Sequence, residues 1–201
     1  MTTSLALAVV CLLPLGKHEP RLLEVATRGV AYLYGVTVKA LPAAPLPRAS
    51  WYPPRRRWRA EKILAHLDTS VVPGSGCDVV LGFTSEDIST TKAPVNDWGV
   101  LGLASIGGPS GVVSTFRARR GARGDALARR VVIVVNHELG HVFGLDHDRA
   151  PDCIMHDAEG SVRTVDAESG LLCPESRAAV ETRLGARLPA HESFDWSAVL
   201  R

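Results

Sequence analysis

His137-Glu-Leu-Gly-His141-Val-Phe-Gly144-Leu-Asp-His147 is the stretch of this chain that decides its fold. On a helix, His137 and His141 stand one turn apart and face the same way. Two imidazoles on one face can hold a zinc ion at roughly 2.0–2.1 Å each. Glu138 adjoins the first ligand, so its carboxylate falls beside the metal and can take a proton from a water there. Gly144 suits a helix stop with positive φ. The turn that follows can bring His147 back as a third ligand. Three protein ligands leave a fourth position open, the arrangement of a catalytic rather than a structural zinc.

A bare HExxH recurs by chance, but the longer pattern HExxHxxGxxH fixes five positions. The competing reading is a buried helix whose histidines are satisfied by hydrogen bonds alone. Upstream, Val131-Val-Ile-Val-Val135 is apolar on every side, as in a helix whose early turns lie in the core while its last turn presents the ligands.

The same pattern followed shortly by a methionine, here Met155 in Asp152-Cys-Ile-Met155, resembles the metzincin clan of metallopeptidases. The resemblance implies that Met155 lies on a tight turn beneath the metal. Within the clan the chain most resembles the archaemetzincins, whose pattern continues with Cys after the third His, then Cys-x-Met, then a distant Cys-x-x-Cys. Cys153, Met155 and Cys173 match. Asp148 and Ser176 stand where the other two cysteines belong, so the family's four-cysteine second zinc site is degraded and a second structural zinc is not expected. The likeness runs from about residue 4 to about residue 185. It includes Pro53 to Leu67, Asp78 to Thr84, and the segments Gly99 to Ala104 and Gly111 to Arg117. It implies a peptide substrate laid antiparallel to an edge strand near Leu101, Gly102, Leu103 and Ala104. His147-Asp148 and Cys153-Ile-Met155 also resemble the adamalysins, where the Asp braces the turn and the cysteine is in a disulfide.

Cys153 and Cys173 admit three readings. They form a disulfide, stay as buried thiols, or bind zinc with Asp148 and a further donor such as His156 or Glu175. Cys11 and Cys77 lie in or beside apolar strands and read as buried thiols.

A hydrophobic content of 46% over 201 residues supplies a core for one catalytic domain. It would divide into an upper subdomain over about 1–144 and a lower one over about 145–201. A net charge of +2 gives no global field toward nucleic acid or membrane, so neither is an expected partner and a monomer is expected. Arg55-Arg-Arg-Trp-Arg59 reads as a solvated loop entering a helix. Arg117, Arg119, Arg120 and Arg123 read as a flexible connector. Leu5 to Leu13 is apolar, but no Lys or Arg precedes it and no small-x-small cleavage site follows. A cytoplasmic protein is expected, with secretion the alternative.

Along the chain we expect a buried strand over Ser4–Leu13 and a helix over Pro20–Tyr34 stopped by Gly35. A strand over Val36–Leu41, an irregular Pro-rich stretch to Pro54, and a helix over Ala60–Leu67 follow. Next come a turn over Pro73–Gly76 and a strand over Asp78–Thr84. A hairpin spans Gly99–Ile106 and Gly111–Arg117. The active-site helix covers 125–144, and a last helix starting on Pro174 reaches Leu184. The tail, with Phe194, Trp196, Val199 and Leu200, can pack back on the body. The class is α/β (α+β): a mixed twisted sheet with helices above, the active-site helix, and a small, mostly helical lower part after the Met-turn. The function expected is zinc-dependent hydrolysis of peptide bonds by a water that Glu138 activates, in a peptide or protein substrate. The alternative is a zinc-loaded, peptide-binding or latent regulatory module.

Overall fold

The computed structural model describes residues 8–201. Strand β1 (Val9–Pro14) leads through helix α1 (Pro20–Tyr34) to β2 (Thr37–Ala40). A short strand β3 (Trp51–Tyr52), strand β4 (Arg57–Arg59), helix α2 (Ala60–His66) and one helical turn α3 (Val72–Ser75) follow. Then come β5 (Val79–Thr84), β6 (Ile88–Lys92), β7 (Val95–Gly99), β8 (Gly102–Ala104) and β9 (Ser110–Ser114). The remainder is helical: α4 (Thr115–Ala118), α5 (Gly124–Val142), α6 (Val162–Ala167), α7 (Pro174–Leu184) and α8 (Trp196–Leu200). The start of the first expected strand, residues 4–7, lies outside the described residues.

The main sheet has the order β2-β1-β5-β9-β8, parallel except for β8, which runs antiparallel to β9. Parallel sheets need both faces covered, and their strands read as continuous apolar runs. The alternation of β1 shows how both faces are used. Val10 and Leu12 join the core built with α1 and α5, while Cys11 and Leu13 join the core built with α2. This explains why Val131–Val135 of α5 is buried all round: the sheet covers one side and α1 another. Gly29 makes the second contact possible, since a Cβ there would lie 2.6 Å from Val132 Cγ1. Tyr34 locks the same pair by donating to the Asn136 carbonyl at 2.7 Å.

Gly35 stops α1 with φ 64°, and Pro174 opens α7. The tail does pack back: Val199 is buried, the Val199 carbonyl accepts from Arg28 at 2.8 Å, and His191 stacks on Tyr32 at 3.9 Å between ring centroids.

Several expectations are corrected. Cys11 and Cys77 are not thiols but a disulfide, S–S 2.04 Å. Parallel pairing of β1 with β5 brings together two cysteines 66 residues apart, a proximity that neither local segment encodes. Arg57 to Arg59 form β4 in a second sheet of order β3-β4-β6-β7 rather than a solvated loop. There Arg57 meets Asp87 and Asp97, each at 2.8 Å. Arg117 is not in a flexible connector either, because its guanidinium grips Asp87 through two bonds of 2.8 and 3.1 Å. Asp97 from β7 and Asp87 from the turn before β6 draw Arg57, Arg59 and Arg117 into ion pairs of low exposure, while Arg55, Arg56, Arg120 and Arg123 stay exposed. The turn expected at Pro73–Gly76 is instead the helical turn α3. No helix among the described residues is long and apolar enough to cross a membrane.

Candidate metal centre and cleft

Helix α5 carries His137, Glu138 and His141 on its last turns and ends in two tight bonds. Gly144 N–H donates to His141 O at 2.8 Å and Leu145 N–H to Gly140 O at 3.0 Å, with Gly144 at φ 96°. This pair of bonds is the glycine-closed helix end that reverses the chain. The reversal delivers His147, whose ring centroid lies 4.8 Å from that of His141 and 5.4 Å from that of His137. One ligand atom from each of the three histidines lies within 4.8 Å of the others.

The second nitrogen of two of these rings is already committed. His137 Nδ1 donates to the Ile154 carbonyl at 2.7 Å, and His141 Nδ1 to the Leu145 carbonyl at 2.8 Å. Both Nε2 atoms are then unprotonated, and they face each other at 3.1 Å. Two lone pairs at that distance repel unless a cation lies between them. Tetrahedral zinc with bonds of 2.0–2.1 Å would separate its nitrogens by about 3.3 Å. The donor set therefore fits zinc. Burial pushes the His137 imidazolium pKa down to about 4, with His141 adding to the effect, and burial also lowers that of His141. Neutral imidazole is the form that ligates metal. Asp157 Oδ2 stands 3.6 Å from His147 Nδ1 and faces the third ring.

Met155 is fully buried beneath this turn. A Cβ on Gly140 would lie 3.1 Å from Met155 Cε and still closer to its sulfur, so the helix rests directly on the methionine. Asp148 N–H donates to the Met155 carbonyl, and Asp148 Oδ1 accepts from Ala150 N–H, both at 2.9 Å. Cys153 and Cys173 are bridged, S–S 2.20 Å, and Cys173 Sγ lies 3.2 Å from Asp148 Oδ2. The pair is bridged in this structure, and Asp148, Cys153 and Cys173 also bring one ligand atom each within 4.8 Å of one another, the grouping that the mixed-ligand metal reading requires.

The centre opens into a cleft of ≈ 380 Å³. Its walls include Val100 to Ala104 on the free side of β8, Ile133 and Val134 from α5, and Val165 and Glu168 at the end of α6. Leu101, Gly102, Leu103 and Ala104 thus border the histidines. Glu138 is 6% exposed, and burial pushes its carboxyl pKa up to about 8. Its side chain lies along the backbone of β8. A Cβ on Gly102 would come within 2.6 Å of Glu138 Cδ and Cγ and nearer still to a carboxylate oxygen. Two features of the site have no sequence signal: the carbonyls of Ile154 and Leu145, which belong to the backbone, and the meeting of Gly102 with Glu138, which is set by tertiary packing.

Comparison with known proteins places the chain among metallopeptidases. The family model Metallo-peptidase family M12 matches residues 32–182. An archaemetzincin of Thermococcus kodakarensis is 31% identical over 176 residues, covering 83% of this chain and 91% of that protein. The crystal structure of an archaemetzincin from Methanopyrus kandleri superposes with a TM-score of 0.76 at 29% identity, covering 89% of this chain and 96% of the other. The crystal structure of a zinc-dependent peptidase from Methanocorpusculum labreanum gives a TM-score of 0.69 at 25% identity, covering 85% and 99%.

Proposed function

The chain belongs to metallo-peptidase family M12, alongside the archaemetzincins, and from that premise we propose that it hydrolyses peptide bonds with one zinc ion held by His137, His141 and His147. The observation that carries the reading is the pair of unprotonated Nε2 atoms 3.1 Å apart, in a group whose third ligand atom, from His147, lies within 4.8 Å of the others. Bound zinc supplies a Lewis acid and lowers the pKa of water toward 7. The protein's own groups do the rest. Glu138 accepts the proton of the attacking water and returns it to the departing amine. The carbonyls of Ile154 and Leu145 hold two imidazoles in the ligating tautomer and orientation. Strand β8 is the edge of the main sheet and can pair with an extended substrate backbone. Met155 and Gly140 together set the height of the helix that carries the ligands.

The direct test is mass-spectrometric profiling of a diverse peptide library with zinc-loaded protein, with and without a chelator. Cleavage that disappears with chelation and returns with zinc supports the reading. A zinc-loaded, folded protein that cuts nothing overturns it.

Gly102 is a positioning residue in this scheme, because a Cβ there would displace the Glu138 carboxyl. Gly102→Ala is expected to lower kcat about 10²-fold, since a roughly 1 Å misplacement of a reacting group costs that much. Zinc stoichiometry should be unchanged, and the kcat–pH profile should shift as Glu138 is displaced. Unaltered kcat would show that Glu138 does not work from this position.

A further inference from the structure

Glu168 is a buried carboxyl that the hydrolytic scheme does not use. It stands just beyond the end of α6, is 7% exposed, and lines the same cleft as the three histidines. Among the described residues its Oε2 has no hydrogen-bond partner and no ion pair includes it. Arg130 is taken by Asp166 through two bonds of 2.6 Å and by the carbonyls of Ala118 and Arg120 at 2.8 and 2.6 Å. That clamp ties α6 to α5 and so fixes where the chain presents Glu168, two residues later.

A buried carboxyl without a partner is costly, and an apolar residue would pack among Ile133, Val134 and Val165 without that cost. The fold keeps the carboxyl in the cleft that Ile133, Val134 and Val165 also line. A substrate side chain that enters the cleft can supply the missing partner. The balance of charge around it has the same sense. Glu138, Asp146, Asp157, Glu159 and Glu168 line the cleft against one cation, Lys92. Lys92 is engaged with the Trp98 ring at 5.8 Å.

Resting on the reading of the cleft as a peptide site, we propose that Glu168 is the base of a specificity pocket that takes a lysine or arginine side chain of the substrate. The apolar walls cover the methylene stem while the cation reaches the carboxyl, the division natural to long basic side chains. Burial pushes the Glu168 carboxyl pKa up to about 8 in the empty cleft, and an incoming cation favours its ionised form. Filling the pocket with a cation therefore shifts the carboxyl toward its ionised form. This is how a buried polar group rejects side chains that leave it unpaired.

The test is peptide binding, measured apart from turnover. Zinc-loaded Glu138→Gln protein is titrated with fluorescent peptides in which each position is scanned with Lys, norleucine, Gln and Glu. At one position Lys should bind at least roughly ten-fold tighter than norleucine, a difference of about 1.4 kcal/mol. Glu and Gln should bind no better than norleucine. In the Glu138→Gln/Glu168→Gln double variant the preference should fall to within about two-fold, with the melting temperature confirming the fold. Glu168→Lys in the same background should favour the Glu peptide. The proposal is overturned if no position prefers Lys, if Gln binds as well as Lys, if the preference survives Glu168→Gln, or if folded protein binds none of the peptides. A failure of the hydrolytic reading looks different: wild type cuts nothing, while the binding panel still discriminates at Glu168.

Discussion

Glu138→Gln is expected to lower turnover by about 10³-fold, within the 10²–10⁴ range of a positioned general base, with zinc content unchanged. Glutamine keeps the shape of the side chain, so its fit along Gly102 is retained. It cannot accept the proton of the attacking water. Burial alone holds the Glu138 carboxyl pKa near 8, a proton-retaining group at neutral pH. A dication held by the adjacent His137 and His141 favours the carboxylate, because opposite charge within a few ångströms stabilises the ionised form. Burial raises the proton affinity of the carboxyl and the dication lowers it, so a bound metal makes the ionised, proton-accepting form accessible near neutral pH. The contrasting variant is His141→Ala. It removes a ligand whose Nδ1 is anchored on Leu145, and should lose zinc and turnover together. Metal analysis beside single-turnover kinetics checks both. Retention of more than a tenth of wild-type turnover in Glu138→Gln would remove Glu138 from the proton path.

The family and the mixed α/β architecture were legible because the information is local. Five residues within eleven positions specify a helix, its glycine-closed end and a returning turn. The boundaries of α1 and α7 were legible for the same reason, one from Gly35 and the other from Pro174. What escaped is long-range. Strands β6 and β7 are short and carry Ser, Thr, Asn and Asp rather than an apolar alternation. Arg57, Arg59 and Arg117 look solvated until Asp87 and Asp97 are brought to them from 30 to 40 residues away. Gly102 reads as one residue of an edge strand, and only the packing of β8 on α5 reveals the carboxyl it accommodates. Glu168 gives no local signal at all, since an acidic residue after a short helix is usually solvated. It becomes a candidate only when the fold buries it without a partner.

The Cys11–Cys77 bridge should be worth more to the fold than Cys153–Cys173, because it closes the longer loop. Its ends are 66 residues apart against 20 for the other pair. Chain-entropy scaling gives about 4 kcal/mol for the longer loop and about 3 kcal/mol for the shorter. For a domain of this size, a loss of about 4 kcal/mol lowers the melting temperature by roughly 8–16 °C. The Cys11→Ala/Cys77→Ala double variant is therefore expected to melt that much earlier. Reduced wild type, which keeps all its sulfur atoms packed, separates the cross-link from the cavity left by truncation. The two bridges should also differ in what they do to the metal centre. Cys153 immediately precedes Ile154, whose carbonyl orients His137, whereas Cys11 and Cys77 belong to the core on the α2 side of the sheet. Loss of the first bridge should weaken zinc binding, and loss of the second should leave zinc affinity intact while stability falls. Melting curves with and without reductant, paired with zinc titration of each double variant, read both quantities. Melting temperatures of oxidised and reduced protein that agree within about 2 °C would mean that the cross-links do not constrain the unfolded chain. Such bridges persist in oxidising surroundings and are lost in a reducing cytosol. A large reductant effect would therefore count against the cytoplasmic expectation and favour an oxidising compartment.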